Sequence, residues 1–207
     1  MKVFKFGGAS VKDANSVRNL ASIIANHQSE QLIVIISAMG KMTNSFEWLI
    51  NAHFFQTEKV KEYLNEIVDF HNHILWDLFP DKSNEVYVAV NELFFQLEEV
   101  LDSKSKLTFD ESYDSLVGFG ELLSTTIVSH YLNSTGVQNE WLDARKVIQT
   151  NSDFRQAKVD WETTEELISK IKYGVVTVSQ GFIGSDTNQR MTSLGREGSD
   201  FSAAIFG

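Results

Sequence analysis

The chain has 207 residues, 43% of them hydrophobic, with a formal charge of −10. That is enough apolar material for one sizeable α/β domain or a large piece of a bigger one, and it excludes wholesale disorder and the basic face that general nucleic-acid binding needs. There is no cysteine, which excludes disulfides and thiolate metal sites, and the single proline, Pro80, leaves no Pro-rich linker.

Lys2 to Phe6 alternates weakly and reads as a strand, followed by a loop at Gly7-Gly8-Ala9-Ser10. After Asp13, the spacing of Val17, Leu20, Ala21 and Ile24 predicts a helix. Leu32 to Ser37 opens with a continuous β-branched run, the mark of a strand buried on both faces. Residues from about Thr43 to Leu101 read as helical with a break near Pro80, and a longer helix is expected from Asp110 to about Asn133. Glu140 to Ala144 reads as a short strand, Trp161 to Lys172 as a helix, and Val175 to Ser179 as another buried strand. The expectation is an α/β fold, a three-layer αβα sandwich on a mostly parallel sheet with a helical insertion in the middle. The strands at Lys2–Phe6, Leu32–Ser37 and Val175–Ser179 should be neighbours, with the loops after them on one rim. Phe201 to Phe206 is an apolar helical run, read here as a cut through a domain; the alternative is a terminal helix docked on the core. No run approaches the ~18 apolar residues of a membrane helix. MKVFKFGGAS lacks the long apolar stretch of a signal peptide, so a soluble cytoplasmic protein is expected.

Several stretches carry chemistry. Lys5 stands at the end of a strand, and Gly7 and Gly8 let the backbone approach a ligand, or else form an ordinary tight turn. Ser37 and Thr43-Asn44 follow the second buried strand and suit ligand contact, or Thr43 or Asn44 caps a helix. From Ser115 to Ser129 the only charged residue is Glu121. A carboxylate in so apolar a row is costly unless paired, either to Arg145 or to a ligand ammonium. Asp143 and Arg145 lie two apart and read as a structural pair. Arg196 and the start of the helix at Ser199-Asp200 could hold an anion, with Asp200 as the alternative N-cap. His71 and His73 read as structural polar residues, and no metal site is expected. Because the chain is acidic, an anionic ligand needs local positive potential: two like charges about 4 Å apart repel by roughly 4 kcal/mol at an effective dielectric of ~20.

Together these stretches resemble the aspartokinase branch of the amino-acid kinase family. KFGGASV is similar to the family's KFGGTSV, SAMGKMTN to its Thr-Asn loop, and FGELLS, WLDAR and QGFIG to further family segments; SLGREGSDFSAA resembles TLGRGGSDYSAA. They occur in family order along the whole chain. The resemblance implies transfer of the γ-phosphoryl of ATP to the β-carboxylate of L-aspartate, giving β-aspartyl phosphate for lysine, threonine and methionine synthesis. It implies that Lys5 contacts the transferring phosphoryl group, and that Gly7, Gly8, Ser10 and Ser37 line the phosphate loops. Thr43 and Glu121 would hold aspartate, Glu121 through its ammonium. Arg196 would pair with a substrate carboxylate, and Ser199 and the catalytic Asp200 would organise the site. Mg²⁺ would be held mainly by the nucleotide. Ala9 and Glu197 depart from the pattern, Glu197 setting a negative charge beside Arg196.

By the same resemblance, residues 1–207 form the aspartate-binding part of the kinase domain, truncated before the nucleotide-binding half, without ACT regulatory domains and inactive alone. The full protein would be a homodimer or higher homo-oligomer, with no nucleic-acid or membrane partner. The alternatives are a non-catalytic aspartate-binding protein and another amino-acid kinase of this fold.

Overall fold

The computed structural model describes residues 1–27, 29–103 and 107–207. Its centre is a parallel four-stranded sheet in the order β1 (Lys2–Phe6), β2 (Leu32–Ile36), β4 (Val176–Gln180), β3 (Glu140–Leu142). The expected neighbours pair in parallel, with Phe6 opposite Ile36 and Ile36 opposite Gln180, so the loops that follow share one rim. All five residues of β2 and of β4 are buried, as a sheet covered on both faces requires.

Side-chain direction identifies the covering layers. Gln180 Nε2 and Trp141 Nε1 both donate to the hydroxyl of Thr125, at 2.8 and 3.0 Å, which seats helix α6 (Phe119–Ser134) on one face. On the other face, α8 (Gly198–Phe206) rests against β1 and β2, its Ser199 touching Gly181 beside Ile35. Within the apolar run from Phe201, Ser202 and Phe206 are buried and Phe201 is exposed. Helix α1 (Ala14–Ala25) is capped by Asp13, which accepts the Ser16 N–H at 2.7 Å, and it packs on α3 (Val60–Leu78) and α6. The helical insertion consists of α2 (Met42–Phe55), α3, α4 (Val86–Asp102) and α5 (Phe109–Val117). No helix among the described residues is long and apolar enough to cross a membrane.

Three expectations change in detail. The single helix expected from Asp110 to Asn133 is two, α5 and α6, parted at Gly118. A Cβ there would lie 2.3 Å from Met191 Sδ, so the break is where the chain must pass closest to the strand behind it. The helix from Trp161 ends at Ser169 (α7), and the strand from Glu140 ends at Leu142. An antiparallel hairpin, β5 (Ile183–Ser185) with β6 (Met191–Ser193), adds a second small sheet that the short polar sequence did not announce. Its turn is drawn in by Asp186, whose Oδ1 accepts the backbone N–H groups of Asn188 and Arg190.

Candidate functional site

The rim of the sheet is built by two interlocked loops. Gly40 N–H donates to Gly8 O at 2.9 Å, and a Cβ on Gly8 would lie 2.5 Å from Gly40 O and 2.9 Å from Ala38 O. Only glycine lets the two backbones meet so closely. Lys5 leaves β1 with its ammonium folded over Gly7 and 2.9 Å from Asp200 Oδ1 in the first turn of α8. Sequence numbers 195 apart are thus one ion pair. The helix begins at Gly198 after Glu197, so Asp200 is not its N-cap.

Glu121 lies in the first turn of α6, 3% exposed. Its Oε1 accepts the Ala38 N–H at 3.1 Å; its Oε2 is buried without a partner among the described residues. The alternative of an internal salt bridge to Arg145 fails, because Arg145 makes a two-pronged contact with Asp143 at 2.9 and 2.8 Å. That pair forms as expected, though in a short turn after β3 and not on the strand. Burial without a cation pushes the Glu121 carboxyl up to about 8, the Ala38 N–H opposing only in part. At neutral pH the group is mostly protonated, awaiting a positive charge.

Glu121 faces a cleft of about 880 Å³, within the size range of small-molecule sites. Ser37, Thr43, Arg196 and Ser199 line the same cleft. Thr43 sits inside the first turn of α2, which starts at Met42 without a side-chain cap; neither Thr43 nor Asn44 is the cap, and among the described residues the Thr43 hydroxyl has no partner. Arg196 is exposed and makes no ion pair among the described residues. Lys5, Gly7, Gly8 and Asp200 stand at the adjoining rim and do not line the cleft; Ser10 opens onto a separate, smaller hollow beside α1. His71 is fully buried between Phe70 and Phe94, and His73 is exposed.

The structure adds residues that the sequence reading passed over. Asp110 and Tyr113 of α5, and Asp153, Arg155 and Lys158 of the loop before α7, form one wall of the cleft. Asp114, 0% exposed, binds that wall together: its carboxylate accepts the backbone N–H groups of Arg155 and Ser193, at 2.9 and 2.8 Å, and the Ser193 hydroxyl at 2.6 Å. An acid on the apolar side of α5 was the available signal, since burial demands partners.

The cleft therefore joins a buried carboxyl and a guanidinium, both without an ion-pair partner among the described residues, to a set of hydroxyls. Such a set complements a small zwitterion carrying extra negative charge. The rim beside it offers an ammonium and close backbone approach, which suit phosphate oxygens. Comparison with known proteins points the same way. The family model described as the amino acid kinase family matches residues 1–207. The lysine-sensitive aspartokinase 3 of Escherichia coli K12 is 32% identical over 209 residues, covering 98% of this chain and 45% of that protein. The chloroplastic aspartokinase 1 of Arabidopsis thaliana is 32% identical over 217 residues, covering 99% of this chain and 37% of that protein. The crystal structure of E. coli aspartokinase III with aspartate and ADP superposes with a TM-score of 0.89 at 30% identity, covering 100% of this chain and 46% of that one. The chain thus spans less than half the length of these relatives.

Proposed function

The chain belongs to the amino acid kinase family, and from that premise we propose that it is the aspartate-binding part of an aspartokinase. The reaction is transfer of the γ-phosphoryl group of ATP to the β-carboxylate of L-aspartate. The observation that carries the reading is Glu121: a buried carboxyl with one oxygen unpartnered among the described residues, facing a cleft that also holds Arg196 and Thr43. A buried acid in that state opposes folding, a cost that proteins concentrate at functional sites. An amino-acid ammonium supplies the missing partner.

In this reading Glu121 takes the ammonium, Arg196 a substrate carboxylate, and Thr43 and Ser199 the remaining oxygens. Gly7, Gly8, Ser10 and Ser37 form the phosphate side, with Lys5 neutralising the transferring group. Asp200 holds the Lys5 ammonium in place at 2.9 Å. A side-chain carboxylate oxygen attacks the γ-phosphorus, the bond to the β–γ bridging oxygen breaks, and ADP leaves. The nucleophile is already an anion, so no general base is required, and the protein's part is alignment and charge neutralisation. The donors at this rim (ammonium, hydroxyl and N–H) fit phosphate oxygens, and Mg²⁺ carried by the nucleotide would screen their charge. The same reading extends to a cytoplasmic homo-oligomer that opens lysine, threonine and methionine synthesis.

The test is calorimetric titration of the purified chain with L-aspartate. Wild type should bind, and Glu121→Ala should lose the affinity while it still unfolds in a single cooperative transition. Loss of a buried partner to an ammonium is worth about 2–5 kcal/mol. Equal affinity in both proteins would overturn the assignment.

A further inference from the structure

Among the residues lining the cleft, Arg155, Phe182 and Glu197 have φ of 69°, 70° and 59°. That is the left-handed region, which a β-carbon disfavours and glycine usually fills. Backbone in that state persists where its surroundings over-determine it, and it gathers at ligand sites.

For Arg155 the surroundings are one face of α5. Asp110, Tyr113 and Asp114, at the i, i+3 and i+4 positions of that helix, each hold a different part of the residue. Asp114 Oδ2 accepts its backbone N–H at 2.9 Å. The Tyr113 ring lies flat enough to place its centroid 4.6 Å from the guanidinium carbon. Asp110 Oδ1 lies 3.2 Å from a terminal nitrogen. The platform is itself fixed, because the Tyr113 hydroxyl donates to Glu47 at 2.8 Å and Asp114 is bonded to Ser193. A guanidinium has five N–H donors, and among the described residues only Asp110 takes one. Both members of that ion pair are about half exposed, at 46% and 56%, so the contact is weak and easily exchanged.

The charges in the cleft then divide. Glu121 is matched to an ammonium and Arg196 to one carboxylate. Lys158 leans toward Asp153 at 4.0 Å. A dicarboxylic amino acid brings a second carboxylate; of the two remaining lining cations, the Lys158 side chain is 82% exposed, whereas Arg155 is anchored by α5 and so held in position to meet it. We infer that Arg155 is a specificity-determining residue, reading the second carboxylate of an acidic amino acid and so separating it from neutral ones. This rests on the cleft being the amino-acid site. One oxygen of the side-chain carboxylate stays free to attack phosphorus, and the Asp110 contact is released as the substrate binds.

The experiment is titration of the 207-residue chain with L-aspartate and L-asparagine, the latter at millimolar concentrations with a thermal-shift readout. Arg155→Gly keeps the backbone N–H to Asp114 and suits φ of 69°, so it removes the guanidinium alone. Aspartate affinity should fall about ten- to hundredfold, the range expected for a charged hydrogen-bond partner. The asparagine response should not change, and Arg155→Lys should recover part of the aspartate affinity. An unchanged aspartate affinity, or an equal fall for both ligands, would overturn the inference. Glu121→Ala is the control. If wild type binds no aspartate, the reading of the cleft fails and this inference with it. If wild type binds and Glu121→Ala does not, while Arg155→Gly fails to discriminate, the role of Arg155 alone is refuted.

Discussion

Replacing Glu121 by Gln keeps its shape and removes its charge, and the effect can be worked through pH. The carboxyl titrates near 4.5 in the unfolded chain and is pushed up to about 8 in the folded one. A raised acid leaves stability intact below its unfolded value and loses it as pH rises toward the folded value. The full separation corresponds to roughly 5 kcal/mol, reached above pH 8. Integrating the linkage gives about 1 kcal/mol at pH 5 and about 3 kcal/mol at pH 7. Glu121→Gln should therefore exceed wild type in stability by a margin that widens from pH 5 to pH 8.5, measured by urea denaturation. Aspartate should close that gap in wild type alone, because its ammonium lets the carboxylate ionise. Binding should then release protons at pH 7, and fewer per aspartate as pH rises past 8, read from calorimetry in buffers of different ionisation enthalpy. A stability difference that does not vary with pH, or binding without proton release, would refute the account of Glu121 as an acid kept neutral for a cation.

Other outcomes follow from single sites. His71, fully buried, is held down at about 4 by burial, so stability should be full above pH 6.5 and fall by roughly 3 kcal/mol as pH drops toward 4; His71→Leu should flatten that slope in denaturation curves. Gly8→Ala would drive a methyl to 2.5 Å from Gly40 O, so the loops must part, at about 1–3 kcal/mol with weakened nucleotide binding, measured by melting and by titration with ADP. Asp114→Ala leaves the buried Ser193 N–H and the Arg155 N–H without acceptors, at about 1–3 kcal/mol for the buried one, whereas Asp114→Asn can still accept both and should lose less; urea curves of the two variants compare them.

Much of the architecture was local information. The β-branched run at Ile33–Ile36 marked a strand buried on both faces, and the glycines at 7 and 8 marked the close approach that Gly40 completes. The sequence also isolated Glu121 as an acid in an apolar row, and Arg196 beside a helix start. What it left open were questions of partnership between distant residues. Whether Glu121 met Arg145 depended on where the turn after β3 aimed that arginine, and it aims it at Asp143. The pairing of Lys5 with Asp200 depends on α8 returning across β1. The break at Gly118 depends on Met191 arriving behind it, and the wall of Asp110, Tyr113 and Arg155 depends on α5 meeting a loop some 40 residues later. Periodicity and glycine content report the chain's local preferences, which act over a few residues. Ion pairs, buried acids and left-handed backbone at a cleft are decided by packing across the sheet, and no local pattern encodes them.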